Sequence, residues 1–453
     1  MAVWSEINLT DINQYSRIDG DFYQPEYLEY RKKLNGHKNL SHFISEIIHP
    51  GEFKRIYSES GVAVLRAQNI RPMRIDADSN SVFIPRRVAD NLSRNKIKNG
   101  DVLITRTGAN FGQTALYIEE NSEAIVTSHT FILKTNENIN SAYLALYLNT
   151  KYGRKLLDQG MYGSSQPEIA PKFIKIIPIP VFSKEIENKI SEDVVLAYKL
   201  RKQSQSLYQQ ATTLLDKELG LDKIIFEKPK SYIANFSEVV NSNRADADFY
   251  QFKFKQLEEH ISNLQATTLA SICSFQKGYE VGTKLYTEEG PIFIRVSNLT
   301  INGFTFGKAD KYISNNTYNI FKAHKPNIGD ILLTKDGTIG TCYVVDEEVE
   351  GIVSSGIMNL TLNDTSIPKE YLALVINSQI CQMQADRDCS GALITHWKPE
   401  QIRKMKIPIL SSETMEHLAG LITRSKAARK ESKQLLEQAK NRVEELIEEV
   451  ATK

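Results

Sequence analysis

Gly100-Asp101-Val102-Leu103-Ile104-Thr105-Arg106-Thr107-Gly108 and Gly329-Asp330-Ile331-Leu332-Leu333-Thr334-Lys335-Asp336-Gly337 are one stretch written twice in a chain of 453 residues. Each is a short apolar run entered by Gly-Asp and left by a cation and a glycine, which reads as a buried strand running into a tight turn. The repetition extends in both directions. Upstream, Leu65-Arg66-Ala67-Gln68-Asn69-Ile70 returns as Ile294-Arg295-Val296-Ser297-Asn298-Leu299. Arg17-Ile18-Asp19-Gly20-Asp21-Phe22-Tyr23 returns as Arg244-Ala245-Asp246-Ala247-Asp248-Phe249-Tyr250, and Trp4-Ser5-Glu6-Ile7 is matched to Phe236-Ser237-Glu238-Val239. Downstream, Ile177-Pro178-Ile179 returns as Ile407-Pro408-Ile409, and Arg201-Lys202-Gln203-Ser204 as Arg429-Lys430-Glu431-Ser432. A period of about 228 residues is far longer than any solenoid repeat. It is a duplicated domain, and duplication implies a task with two similar but unequal sites.

Within each copy the order of patterns is the same. A short helical segment (25–34; 252–264) precedes alternating apolar runs such as Val62-Ala63-Val64-Leu65 and Ile292-Phe293-Ile294, with Ile125-Val126 and Ile352-Val353 beginning another pair. A helical stretch follows (141–149; 370–377), then a loop holding Gly163 or Gly391, then Ile-Pro-Ile. The globular part therefore reads as α+β. After Ile-Pro-Ile the composition changes: residues 183–219 and 411–448 contain no proline and open on serine, a favourable helix N-cap. The second keeps seven-residue spacing along Met415, Ile422, Arg429, Leu436 and Val443, and along Leu418, Ser425, Ser432, Ala439 and Leu446. The first carries Val194, Ala197, Ser204, Ala211 and Leu215 in the same seam. Small residues in such a seam allow close packing. A helix of roughly 37 residues, about 55 Å long, needs a partner. The simplest partner is the other long helix, antiparallel; the alternative is a helix of another protein.

Composition bounds the chemistry. Hydrophobic content of 41% supports real cores, and Lys+Arg 56 against Asp+Glu 55 leaves a net charge of +1, so the whole chain is no polycation. Between Glu52 and Asn110, eleven Lys/Arg face six Asp/Glu, enough for a modest basic surface or for a solvated mixed one. The four cysteines (273, 342, 381, 389) form no Cys-x-x-Cys pair, which points to reduced thiols rather than a disulfide framework or zinc ribbon. No 18-residue apolar run and no secretory pattern occur, so a soluble, cytoplasmic protein without membrane association is expected.

No Gly-x-x-x-x-Gly-Lys-Ser/Thr loop, Gly-x-Ser-x-Gly elbow or Pro-Pro dipeptide is present, and the eight histidines lack ligand spacing, so neither a catalytic nor a metal site is expected. The chemistry sits in loops. The turns around Arg106, Asn110 and Lys335, Asp336, Thr338 offer cations and freed N–H groups to a phosphate, or are plain β-turns with a surface cation. The segments Ser164, Gln166 and Thr395, His396, Trp397, Lys398 carry side chains that read base edges or pack on sugar and thymine methyl, or they brace Ile-Pro-Ile. Arg66 and Arg295 are either phosphate contacts or internal ion pairs, and Arg17-Asp19-Asp21 with its copy is expected to be structural.

Two α+β domains, each followed by a long helix, together resemble the specificity subunit of type I restriction-modification enzymes. The resemblance rests on Phe236-Ser237-Glu238-Val239 with Arg244-x-Asp246-Ala247-Asp248-Phe249-Tyr250, on Gly-Asp-Ile-Leu-Leu-Thr with its glycines, and on Ile-Pro-Ile leading into the helix. It spans essentially the whole chain. The chain has Ile179-Pro180-Val181 and Ile409-Leu410-Ser411 where that family often has a Pro-Pro pair. The resemblance implies target-recognition domains over 1–181 and 223–410, and helical spacers over 182–222 and 411–453 packed as an antiparallel coiled coil. Each domain would read one half of a bipartite, asymmetric double-stranded DNA target. The expected DNA contacts are Arg55, Arg66, Arg106, Asn110, Ser164, Gln166 and Lys172 in the first copy. In the second they are Lys277, Arg295, Lys335, Asp336, Thr338, Thr395, His396, Trp397 and Lys398. Arg201, Ser204, Arg429 and Ser432 would contact two adenine-N6 methyltransferase subunits. S-adenosylmethionine, ATP and magnesium would belong to those and to restriction subunits, leaving this chain non-catalytic and without a cofactor. Alternatives are the same module serving a fused methylase-nuclease, and a duplicated scaffold that binds no DNA.

Overall fold

The computed structural model describes residues 4–76, 82–119, 123–163, 165–227, 229, 231–307, 309–389 and 395–451. The chain falls into two compact units, Met1–Lys202 with Arg429–Lys453, and Gln203–Ala428. Part of each of two long helices belongs to each unit: the central helix, Lys184–Glu218, and the C-terminal helix, Ser412–Ala451. Among the described residues no helix is long and apolar enough to cross a membrane.

The two larger sheets of the first unit are built from β1 (Ile44–Ile48), β2 (Val62–Leu65), β3 (Val82–Ile84), β4 (Val102–Thr105), β5 (Thr114–Leu116), β6 (Ala124–Val126) and β7 (Thr130–Thr135). They form an antiparallel sheet in the order β1-β7-β4-β5, and a second sheet β3-β2-β6 in which β2 and β6 run parallel. In the second unit β8 (Cys273–Lys277), β9 (Tyr286–Ile294), β10 (Lys311–Ile313), β11 (Ile331–Thr334), β12 (Cys342–Val344), β13 (Gly351–Val353) and β14 (Ile357–Leu362) repeat this as β8-β14-β11-β12 and β10-β9-β13. The globular parts are α+β, as their patterns indicate.

The stretch that repeats most clearly is the middle of each architecture. Every residue of β4 and β11 is buried. Successive side chains of a strand point to opposite faces. Val102 and Ile104 accordingly pack in a core that includes Ile190 and Val194 of the central helix and Ala439 and Val443 of the C-terminal helix, while Leu103 packs with Leu65 and Val126 of the other sheet. In the second unit Ile331 and Leu333 face Ala211, Leu215, Leu418 and Ile422, and Leu332 faces Ile294 and Val353. One strand thus joins a sheet layer to a helix layer in each unit.

The two long helices pack on each other and run antiparallel. In the first unit Ser432 Oγ donates to the carbonyl of Ala197 at 2.6 Å. In the second, Ser425 Oγ donates to the carbonyl of Ser204 at 2.8 Å, and the two hydroxyls lie 3.0 Å apart. All three serines are buried, as the seven-residue spacing predicts for a close-packed seam.

Ile-Pro-Ile is held by a tyrosine from the preceding helical segment. Tyr147 Oη donates to the carbonyl of Pro178 at 2.7 Å, with Tyr143 Oη bonding Pro180 just beyond, and Tyr371 Oη donates to that of Pro408 at 2.9 Å. The domain starts are anchored equally alike: Arg17 pairs with Asp19 and donates to Met161 O, and Arg244 pairs with Asp246 and donates to Asp388 O. Arg17–Asp19 is therefore structural, as expected. One part of the repeat is displaced from the sequence match. The helices Leu9–Tyr15 and Phe236–Ser242 each start at an asparagine whose N–H meets an acid three residues on, Asn8 to Asp11 at 3.1 Å and Asn235 to Glu238 at 2.8 Å. Both end on a left-handed residue, Ser16 or Asn243. The counterpart of Phe236-Ser237-Glu238-Val239 is Leu9-Thr10-Asp11-Ile12, and Trp4-Ser5-Glu6-Ile7 only resembles it by composition.

Candidate nucleic-acid interface

Two loops that are about 60 residues apart in sequence meet at one place in each unit. In the first unit the turn after β4 needs a left-handed residue, supplied by Gly108 at φ 87°. Its N–H donates to Pro167 O at 3.2 Å, and Thr107 and Glu168 form an isolated antiparallel bridge. In the second unit Gly337, at φ 67°, donates to Thr395 O at 2.8 Å, and Asp336 bridges His396. Directly opposed residues in such a pair hold their side chains within reach of each other.

The side chains gathered there differ. In the first unit Arg106 makes a two-pronged contact with Glu168, Nε at 2.8 Å and Nη2 at 2.7 Å, and also touches His49 and the carbonyl of Ser128. Thr107 Oγ1 lies 2.7 Å from His129 Nδ1. Glu52, bonded by the Ser128 hydroxyl, has its carboxyl below the usual range, and burial with the nearby Arg106 charge lowers the His49 imidazole. In the second unit Lys335 Nζ meets Asp336 Oδ2 at 2.7 Å, and His396 Nδ1 meets Asp336 Oδ1 at 2.8 Å. Burial pushes the Asp336 carboxyl up, but the bonds from Lys335 and His396 outweigh it and hold it below the usual range.

The other expected contacts divide by exposure. Gln166, Lys172, Lys277, Thr338 and Lys398 are exposed, as is Arg55, 3.8 Å from Glu52. Ser164 lies outside the described residues. Asn110 is engaged internally, accepting from Arg71 at 2.9 Å, and Arg295 donates to Ala309 O at 2.6 Å. The backbone N–H groups of Arg66 and Arg295 donate to Asn69 and Asn298, fixing the 3-10 turns behind β2 and β9. Trp397 was expected to pack on sugar or thymine methyl, but it is 1% exposed and belongs to the core, because its place is that of buried Ile169 in the first unit. Within the glycine turns the N–H groups of Gly108, Phe111 and Gly112, and of Gly337 and Gly340, are engaged by backbone carbonyls. Ser204 and Ser432 were expected to contact a partner; they lie in the helix seam, where a hydroxyl meets the opposing helix. Arg201 is half-buried, 3.9 Å from Asp76, with its pKa lowered by burial and by neighbouring Arg74. Arg429 is likewise half-buried.

No family model and no curated protein matches the chain. Among solved structures it is similar to the type I restriction-modification system S subunit from M. genitalium, at 11% identity and a TM-score of 0.43, over 92% of this chain and 96% of that one. The HsdS subunit from Thermoanaerobacter tengcongensis is similar at 13% identity and a TM-score of 0.29, over 91% and 95% of the two chains. A structure described as underlying complex assembly and conformational transition of the type I R-M system has the same identity and TM-score.

Several residues of this interface are not evident from sequence. Thr107 and Glu168 meet through the β-bridge, whose register depends on tertiary structure, and His129 reaches Thr107 from the β6–β7 turn. The aromatic stack of Tyr279 on Phe321, centroids 4.0 Å apart, places an exposed ring beside the same loops of the second unit, since Tyr279 bridges Ser354 and Lys335 bonds Gly356. Sequence signalled it only by the aromatic after Gly278.

Proposed function

We propose that this chain is the DNA-recognition subunit of a type I restriction-modification system, each unit reading one half of a bipartite asymmetric target. The observation that carries it is the contrast inside the duplication. Strand order, the Arg–Asp pair at each domain start and a tyrosine bond to the proline carbonyl of Ile-Pro-Ile are the same in both units, whereas the loop chemistry at one shared place differs. A retained frame suits two like partners, and differing loops suit two half-sites. The paired helices would set the half-site separation, near one helical turn or about 34 Å. Their outer faces would dock two adenine-N6 methyltransferase subunits, which would bring S-adenosylmethionine and flip the target base. Restriction subunits would add ATP- and magnesium-dependent cleavage, and this chain would catalyse nothing itself. Near-zero net charge means that partners supply much of the phosphate contact.

The test is domain exchange. Replacing residues 1–180 by the corresponding domain of another such subunit, then mapping methylated adenines in cells carrying the methyltransferase, should change one half-site only. A change in both halves, or no sequence-specific methylation by the unaltered complex, overturns the reading.

A further inference from the structure

At the shared β-bridge the two units hold the same kinds of group in exchanged positions. The cation keeps its place, Arg106 in one unit and Lys335 in the other. The carboxylate crosses the bridge: in the first unit it is Glu168 on the far loop, and in the second it is Asp336 on the strand turn. The histidine crosses as well. His129 comes from the β6–β7 turn to meet Thr107 at 2.7 Å, and His396 comes from the far loop to meet Asp336 at 2.8 Å. The position corresponding to His129 is Gly356, where a Cβ would crowd Val296 Cγ2 at 2.8 Å and stand in ordinary contact, 3.5 Å, with Asp336. No imidazole reaches the bridge from that turn in the second unit, and the histidine there comes from the far loop instead. The four positions are therefore linked through their hydrogen bonds and ion pairs. Bracing the loops does not require any of these choices, because the backbone bridge and the glycine N–H bond do that in both units.

We infer that these four positions, 106/107/129/168 in the first unit and 335/336/356/396 in the second, select the base pair that each unit reads. The inference rests on the DNA-recognition function proposed above. In the first unit the guanidinium of Arg106 and the carboxylate of Glu168, side chains 20% and 29% exposed, match the two edges of a G·C pair. Guanine offers O6 and N7 as acceptors, and cytosine N4 is a donor. In the second unit the Asp336 carboxylate only accepts, so His396 Nδ1 carries the proton and donates. That leaves Nε2 of a 58% exposed ring as the reading atom, and in the neutral ring it accepts from an exocyclic amino group. Lys335 is 9% exposed and serves to hold Asp336 in place.

The experiment transplants the second set into the first unit, R106K/T107D/H129G/E168H, in the full chain with its methyltransferase, and maps methylated adenines in a host lacking other adenine methylation. A single E168Q variant, which keeps size and removes charge, covers the case in which the fourfold variant does not fold. The expected result is a change of roughly tenfold or more in base preference at one position of one half-site, with the other half and the spacer unchanged. An unchanged target for E168Q overturns the inference and leaves the DNA-recognition reading standing. Loss of methylation at all sites by E168Q, with melting temperature and co-purification of the methyltransferase as in the unaltered complex, also overturns it. If the unaltered complex methylates no bipartite sequence, the underlying reading itself fails.

Discussion

The hydroxyl of Tyr198 accepts a hydrogen bond from the backbone N–H of Leu116 at 3.1 Å, tying the central helix to β5. At the corresponding place in the second unit the bond is reversed: Lys426 Nζ donates to the carbonyl of Val344, in β12, at 3.0 Å. Lys426 also lies 3.7 Å from Glu370 and 5.4 Å from the Tyr343 ring centre. Each helix therefore holds its own edge strand, by opposite donor and acceptor roles. Tyr198→Phe leaves the buried Leu116 N–H without its acceptor, which costs about 1–3 kcal/mol. The first unit should melt roughly 2–10 °C lower, read by calorimetry. An unchanged melting temperature would show that water replaces the hydroxyl.

Much of this fold is legible in sequence because its signals are local. The strand before the glycine turn is buried on both faces, so it reads as a continuous apolar run, and the long helices declare themselves by spacing and by lack of proline. The site is less legible for two physical reasons. A β-bridge between Thr107 and Glu168 depends on tertiary register. A large aromatic in a loop, such as Trp397, has the same appearance whether it faces a ligand or replaces an isoleucine in the core. Ser204 and Ser432 carry two expectations, a place in the seven-residue seam and a partner contact; a small hydroxyl satisfied by the facing helix fits the close seam.

That seam gives a second prediction. Ser432→Leu forces a large side chain against Ala197, and overpacking of this kind costs about 1–3 kcal/mol. Ser432→Ala removes one hydrogen bond and costs about 1 kcal/mol or less. Denaturant unfolding of the two variants should rank them in that order. The reverse order would mean that the hydroxyl, not the space, governs the contact.

Glu448 makes the first unit acid-sensitive. It lies on the C-terminal helix, where Tyr152 Oη donates to it and Lys33 and Lys151 approach to 2.9 and 3.2 Å. The Tyr152 bond, then that of Lys33, pushes its pKa down to about 2 from 4.5. A carboxyl depressed in the folded state contributes stability above its unfolded pKa and loses it as pH falls through the folded value. The side chain is 38% exposed, so solvent screening limits the contribution to about 1 kcal/mol. Glu448→Gln should therefore be less stable than the parent chain at pH 7, with the difference shrinking between pH 4.5 and 2. A difference independent of pH in urea titrations would rule out the ionised carboxylate as its source.

The antiparallel seam constrains how spacing in the proposed DNA target can be altered. Because residue numbers rise along one helix as they fall along the other, lengthening a single helix slips every seam contact on one side of the insertion. Ser432 would lose Ala197, and small residues would face large ones. Inserting one heptad into both helices, beside Arg201 and beside Arg429, keeps the seven-residue register and adds roughly 10 Å. At 3.4 Å per base pair this lengthens the unread spacer by about three base pairs. Methylome mapping of the doubly extended complex should show both half-sites unchanged and the spacer longer by that amount, whereas extension of the central helix alone should abolish methylation. A doubly extended chain that melts normally and still methylates the original spacer would show that the helices do not set the distance.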